Sequence, residues 1–140
     1  MINPKYNFRQ ASPVSTTALI RSYPGPIFVG TGAASMSDIA GAAYSFTPTD
    51  LKNADYTVTA LVFSYVLLDS TATGATRITV NGVASDSRVS TGGVSDTFIW
   101  YIPIRDYSTT LTIQIQDGSG TGDTVTYNNM ETNAVITRYG

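Results

Sequence analysis

Residues 109–117, TTLTIQIQD, alternate without a break: Leu111, Ile113 and Ile115 fall on one side, Thr110, Thr112, Gln114 and Gln116 on the other. A period of two is the spacing of a pleated strand with one face in a core and one in water. The chain therefore has to build a sheet with a dry side, and the rest of the sequence must supply its partners.

Further strands follow the same logic. YTVTALVFSYVLL (56–68) puts Val58, Ala60, Val62, Val66 and Leu68 on one face. Its other face begins with Thr57 and Thr59, then turns apolar through Leu61, Phe63, Tyr65 and Leu67. TRITVNGVASDSRV (76–89) carries Ile78 and Val80 inward and Arg77 and Thr79 outward, with Asn81-Gly82 as a tight turn. PIFVG (26–30), TVTYNNM (124–130) and NAVITRYG (133–140) read as strands and DGSGTGD (117–123) as a turn. TGAASMSDIAGAAYSF (31–46) fits either a helical turn capped by Ser37-Asp38 or an irregular strand and loop. In TPTDLKNAD (47–55), Thr49 or Asp50 can cap one helical turn. Thr (21), Ser (14), Tyr (nine) and Asp (nine) are abundant, against one Glu (Glu131) and two Lys (Lys5, Lys52), which is the usage of strands and turns rather than of helices. The expected fold is all-β, an antiparallel β-sandwich of jelly-roll type.

A chain of 140 residues fills one domain. Residues 1–25 stand apart, holding Lys5, Arg9 and Arg21 with no acid and interrupted by Pro4, Pro13 and Pro24. Tyr6, Phe8, Val14, Leu19 and Ile20 make that stretch too apolar for a solvated tail. It reads as an extended basic N-terminal arm lying on its own domain or on a partner, followed by a single sandwich domain over 26–140.

The absent residue types exclude much chemistry. Without cysteine there is no disulfide, thiolate nucleophile or sulfur-based zinc site; without histidine there is no Ser-His-Asp triad. The Asp residues sit mostly in turns, and no phosphate-binding glycine loop precedes a helix, so the expectation is a protein that is not an enzyme and holds no cofactor. A formal charge of −2 with six dispersed arginines argues against nucleic acid. The first twenty residues lack a signal-peptide core and the longest apolar run is far short of a membrane span, which leads to the expectation of a soluble chain made in a cytoplasm. In DGSGTGD, Asp117, Ser119, Thr121 and Asp123 offer oxygens for a weak calcium loop, although a glycine-rich hairpin turn explains the same letters. Tyr65, Trp100, Tyr101, Tyr107, Tyr127 and Tyr139 are candidate sugar-stacking rings or ordinary core residues.

DTFIWYIPIRDY (96–107) poses the functional question. Phe98, Trp100, Ile102 and Ile104 project to one face and Ile99, Tyr101 and Pro103 to the other, so the strand is apolar on both sides. Pro103 cannot donate to a ladder, which places the strand at an edge or a bulge. Either residues 1–46 or a long loop fold over the second face, or a subunit interface covers it. Burying three such side chains at ~2 kcal/mol each supplies on the order of 6 kcal/mol before the cost of association.

The proline-broken basic arm, the Thr/Ser/Gly-rich sandwich without Cys or His, and the ending TVTYNNMETNAVITRYG together resemble small jelly-roll proteins of tailed phages. Those are capsid decoration (cement) proteins and the head domains of tail fibres. The resemblance implies a homotrimeric structural protein of a virion, made in the host cytoplasm, that clamps the major capsid protein lattice. Lys5, Tyr6, Phe8, Arg9 and Arg21 of the arm and Ile99, Tyr101 and Pro103 of the apolar strand are the residues expected to bind partners. Separately, YTVTALV, ITVNGVASD and LTIQIQDGSG are similar to stretches of β-sandwich carbohydrate-binding modules, which would make a glycan the partner. The alternative function is thus a carbohydrate-binding module or a receptor-binding fibre head.

Overall fold

The alternating stretch 109–117 forms the strand β8 (Leu111–Asp117), with Leu111, Ile113 and Ile115 buried as their spacing requires. Its neighbours are known from a computed structural model that describes residues 14–69 and 74–139. In chain order the other elements are β1 (Val14–Thr31), β2 (Ser37–Phe46), the single helical turn α1 (Pro48–Leu51), β3 (Tyr56–Asp69) and β4 (Ala75–Val80). Then come β5 (Val83–Ala84), β6 (Arg88–Val89), β7 (Ser95–Pro103) and, after β8, β9 (Thr124–Arg138).

Two antiparallel sheets form a sandwich. One has the order β1-β9-β3-β7; the other runs β2-β8-β4-β5, with β6 also paired to β4. Most consecutive long strands change sheet, and the last strand returns between the first and the third. That interleaving of Greek keys is the jelly-roll layout. The dry layer between the sheets is aromatic: Tyr44 packs on Phe63 (5.7 Å between ring centres), Phe63 on Tyr65 (5.8 Å), and Tyr65 on both Phe98 (5.8 Å) and Tyr127 (5.6 Å). All are tilted pairs, the arrangement ring quadrupoles favour.

Several local expectations change. The arm expected over 1–25 is, from Val14 onward, part of β1, which pairs with β9 over its whole length. Lys5, Tyr6, Phe8 and Arg9 lie outside the described residues. Of the two readings of residues 31–46 the strand and loop holds: Thr31 ends β1, a loop follows, and Ser37–Phe46 form β2. The cap of α1 is Thr47, not Thr49 or Asp50: Thr47 Oγ1 accepts from the Asp50 N–H and Asp50 Oδ2 from the Thr47 N–H, a reciprocal capping box. In β3 the buried face switches between Ala60 and Leu61, next to a register shift in which Val58 and Ala60 face the consecutive residues Ile136 and Val135. That one extra residue at Thr59 moves Val62, Val66 and Leu68 out of the core while keeping Val58 and Ala60 in it. Asn81 (φ 50°) and Gly82 (φ 82°) make the expected left-handed two-residue turn.

Candidate functional site

The long sides of the sandwich are finished differently. On one side the edge strands β1 and β2 are joined: Arg21 lies 4.4 Å from the centre of the Phe46 ring and donates to the Ser45 carbonyl at 3.0 Å. This partner-binding candidate is thereby engaged within its own domain. On the other side Arg88 reaches across from β6, stacks 3.7 Å from the Trp100 ring centre and donates to the Ile99 carbonyl at 2.5 Å. Each arginine crosses from one sheet to cover a core aromatic of the other and takes up a carbonyl of an edge strand. Removing the second brace by Arg88→Ala should lower stability by about 2 kcal/mol through the lost cation–π contact and charged hydrogen bond. Urea unfolding of the purified chain checks this, and an unchanged midpoint refutes it.

Beside Arg88 the sheets part. A cleft of about 550 Å³ opens there, floored by Ile78, Val80 and Ile102 and rimmed by Asp86, Arg88 and Arg105. Its other wall is β7, which pairs only with β3 among the described residues. Pro103 closes that strand at the sheet edge, where a missing N–H costs no ladder bond. Phe98, Trp100, Ile102 and Ile104 face the core, while Ile99 (55 % exposed), Tyr101 (67 %) and Pro103 face out. The described part of residues 1–46 does not cover this face: β1 and β2 lie at the opposite edges of their sheets. Val83, Val89 and Val94, in or flanking the short strands on this side, are also exposed.

Of the six candidate sugar-stacking rings, most are committed elsewhere. Tyr65 and Tyr127 are fully buried. Trp100 Nε1 donates to the Tyr65 hydroxyl at 3.3 Å. The Thr76 hydroxyl donates to the Gln116 carbonyl at 3.0 Å, so the 2.7 Å bond between Tyr65 and Thr76 must have Tyr65 as donor. Burial pushes the Tyr65 hydroxyl up to about 12 and raises Tyr127 further. Trp100 is 3 % exposed beneath Arg88 and presents no free face. Tyr107 donates to the Val58 carbonyl at 2.7 Å. Tyr101 and Tyr139 alone of the six are exposed.

The turn 117–123 lies at the pole of the sandwich where β1, β3 and β8 end and β9 begins. Asp117 is buried, and both of its oxygens are used. Oδ1 accepts from the Tyr127 hydroxyl and from Ser119 Oγ, each at 2.7 Å; Oδ2 accepts from the Ala33 N–H (3.0 Å) and the Ser119 N–H (3.2 Å). Thr121 is exposed. Asp117 and Ser119 thus tie strands together, and among the described residues no three acidic side chains are spaced to hold a metal ion. Spacing within the turn could not reveal that Asp69, which is 48 residues upstream of Asp117, joins this pole.

No protein-family model matches the chain, and a search of curated proteins found no match. Solved structures share its fold. A chain of dimeric latent PorU from Porphyromonas gingivalis superposes with a TM-score of 0.51 at 14 % identity over 91 % of this chain. A chain in the structure of the infectious bursal disease virus Gx strain gives 0.50 at 14 % identity over 100 % of it. This chain spans 13 % of the first and 37 % of the second. A carbohydrate-binding module, CBM36 in complex with calcium and xylotriose, gives 0.46 at 16 % identity, covering 80 % of this chain and 98 % of the module. What the chain has in common with the first two is the fold.

Proposed function

We propose that the protein is a non-catalytic structural component of a virion, a jelly-roll subunit that associates with copies of itself through the open β7 side. The observation that carries this reading is the outward face of β7. Ile99 and Tyr101 stand more than half exposed on an edge strand, with Val83, Val89 and Val94 on the same side. Exposed apolar side chains on an open strand invite pairing, and proteins that keep such an edge normally cover it. The sandwich shared with the viral chain is compatible with this role. A trimeric decoration protein is the specific form proposed, with attachment to a capsid lattice assigned to Lys5, Tyr6, Phe8 and Arg9.

The test is solution mass by light scattering. The native chain should run as an oligomer, and the double variant Ile99→Asp/Tyr101→Asp as a monomer with a melting temperature within a few degrees of the native one. Both side chains point away from the core, so their replacement leaves the packing intact. A native chain that stays monomeric up to high micromolar concentration refutes the self-association. The carbohydrate-binding reading is favoured by one feature, the exposed Tyr101 ring beside the cleft rimmed by Asp86, Arg88 and Arg105. Retention of a glycan by a monomeric chain, abolished by Tyr101→Ala, would replace the structural reading with that one.

A further inference from the structure

At the pole, Asp69 ends β3 with none of its surface exposed, and its Oδ1 meets no hydrogen-bond donor among the described residues. The Ser90 hydroxyl stands 3.5 Å from Oδ2. Gly74 closes the site from the far side: a Cβ there would lie 2.1 Å from Asp69 Oδ2 and 2.3 Å from Ser119 Oγ. Asp123, 8 % exposed and one residue ahead of β9, faces Asp69 within hydrogen-bonding reach. The remaining charged group acting on Asp69 is again acidic, Asp117 at the end of β8, which is itself held by the Tyr127 hydroxyl. From β7, Asp96 is occupied by the Thr91 N–H, and the two serines are neutral. No cation acts on Asp69 from the described elements packed around it.

Two ionised carboxylates have no hydrogen between them and repel; one proton converts the pair into a donor and an acceptor. We propose that Asp69 and Asp123 share a single proton, and that this acid–carboxylate pair locks the pole of the sandwich at low pH and loosens it as the proton leaves. The lock joins the end of β3 to the start of β9, neighbours in the sheet whose residues Asp69 and Val125 are paired. Burial, and then Asp123, hold the Asp69 carboxyl above the ordinary carboxylate value. A group raised on folding contributes stability that is complete below its unfolded value, near pH 4, and is lost as pH rises through its folded value. Asparagine at position 69 replaces the shared proton with an amide donor that does not titrate.

The experiment is the melting temperature of the full chain from pH 5 to pH 9, for the native protein and for Asp69→Asn, with EDTA or with calcium chloride. The melting temperature of Asp69→Asn relative to the native chain should rise with pH by about 4 °C or more. Asp123→Asn, which offers the same amide from the opposite side, should follow the same trend, and calcium should change nothing. A difference between native and variant that stays constant with pH overturns the proposal. So does calcium raising the native melting temperature at pH 8 in a way that Asp69→Asn abolishes, which would make the pair a cation site.

Discussion

Replacing Asp117 with alanine is expected to lower the unfolding free energy by about 2–4 kcal/mol, because one buried donor and three part-buried ones lose their acceptor at once, and a buried donor costs about 1–3 kcal/mol when stranded. Those donors come from three parts of the chain. The Tyr127 hydroxyl belongs to β9, the Ala33 N–H to the β1–β2 connection, and the Ser119 hydroxyl and N–H to the turn that follows β8. The Tyr127 hydroxyl is the most costly to strand, since the ring is wholly buried and cannot turn to water. Asp117→Asn keeps two acceptor lone pairs and should lose roughly half as much. Urea unfolding followed by circular dichroism measures both. A loss below about 1 kcal/mol for the alanine variant would show that the pole is held by something other than this carboxylate.

Trp100→Ala should be comparably damaging, by about 3–5 kcal/mol. The indole fills the core between the sheets, donates to the Tyr65 hydroxyl and forms the platform on which Arg88 lies. Its removal leaves a cavity, an unpartnered lone pair on Tyr65 and an arginine without its ring. Trp100→Phe keeps a platform and most of the volume, and should cost less than half as much. If the alanine variant unfolds at the same urea concentration as Arg88→Ala, the indole contributes only as Arg88's seat and the cavity cost is absent.

Much of the sandwich can be read directly from the residues because β-structure in this chain is written locally. The alternation of Leu111, Ile113 and Ile115, the Asn81-Gly82 turn and the proline at 103 each report a backbone fact that depends on few distant residues. The part of β1 before residue 26 was hidden for a physical reason. Prolines and a basic composition argue against a strand, yet an edge strand tolerates both when its partner adapts. Here β9 shifts register on both sides of Asn128, opposite Pro26, and Asn129 adopts φ 53° to absorb the irregularity. The face switch in β3 was hidden likewise, since a single extra residue at Thr59 inverts every later assignment and leaves no mark in composition. At the candidate site, the outward face of β7 is legible as two-sided apolarity. The arginine braces and the Asp69–Asp123 pair are not, because they join residues far apart in sequence and Asp at a strand end is the default turn residue.

The place of β9 between β1 and β3 has a consequence for how the protein is made. β9 follows every other described strand in the chain, yet it fills the middle of its sheet. Until it emerges, the nascent chain carries a slot whose two rims each expose a ladder of unsatisfied amides. Growing chains stalled before residue 124 lack this central strand, and their open edges are the ones most exposed to capture by a neighbour's strand.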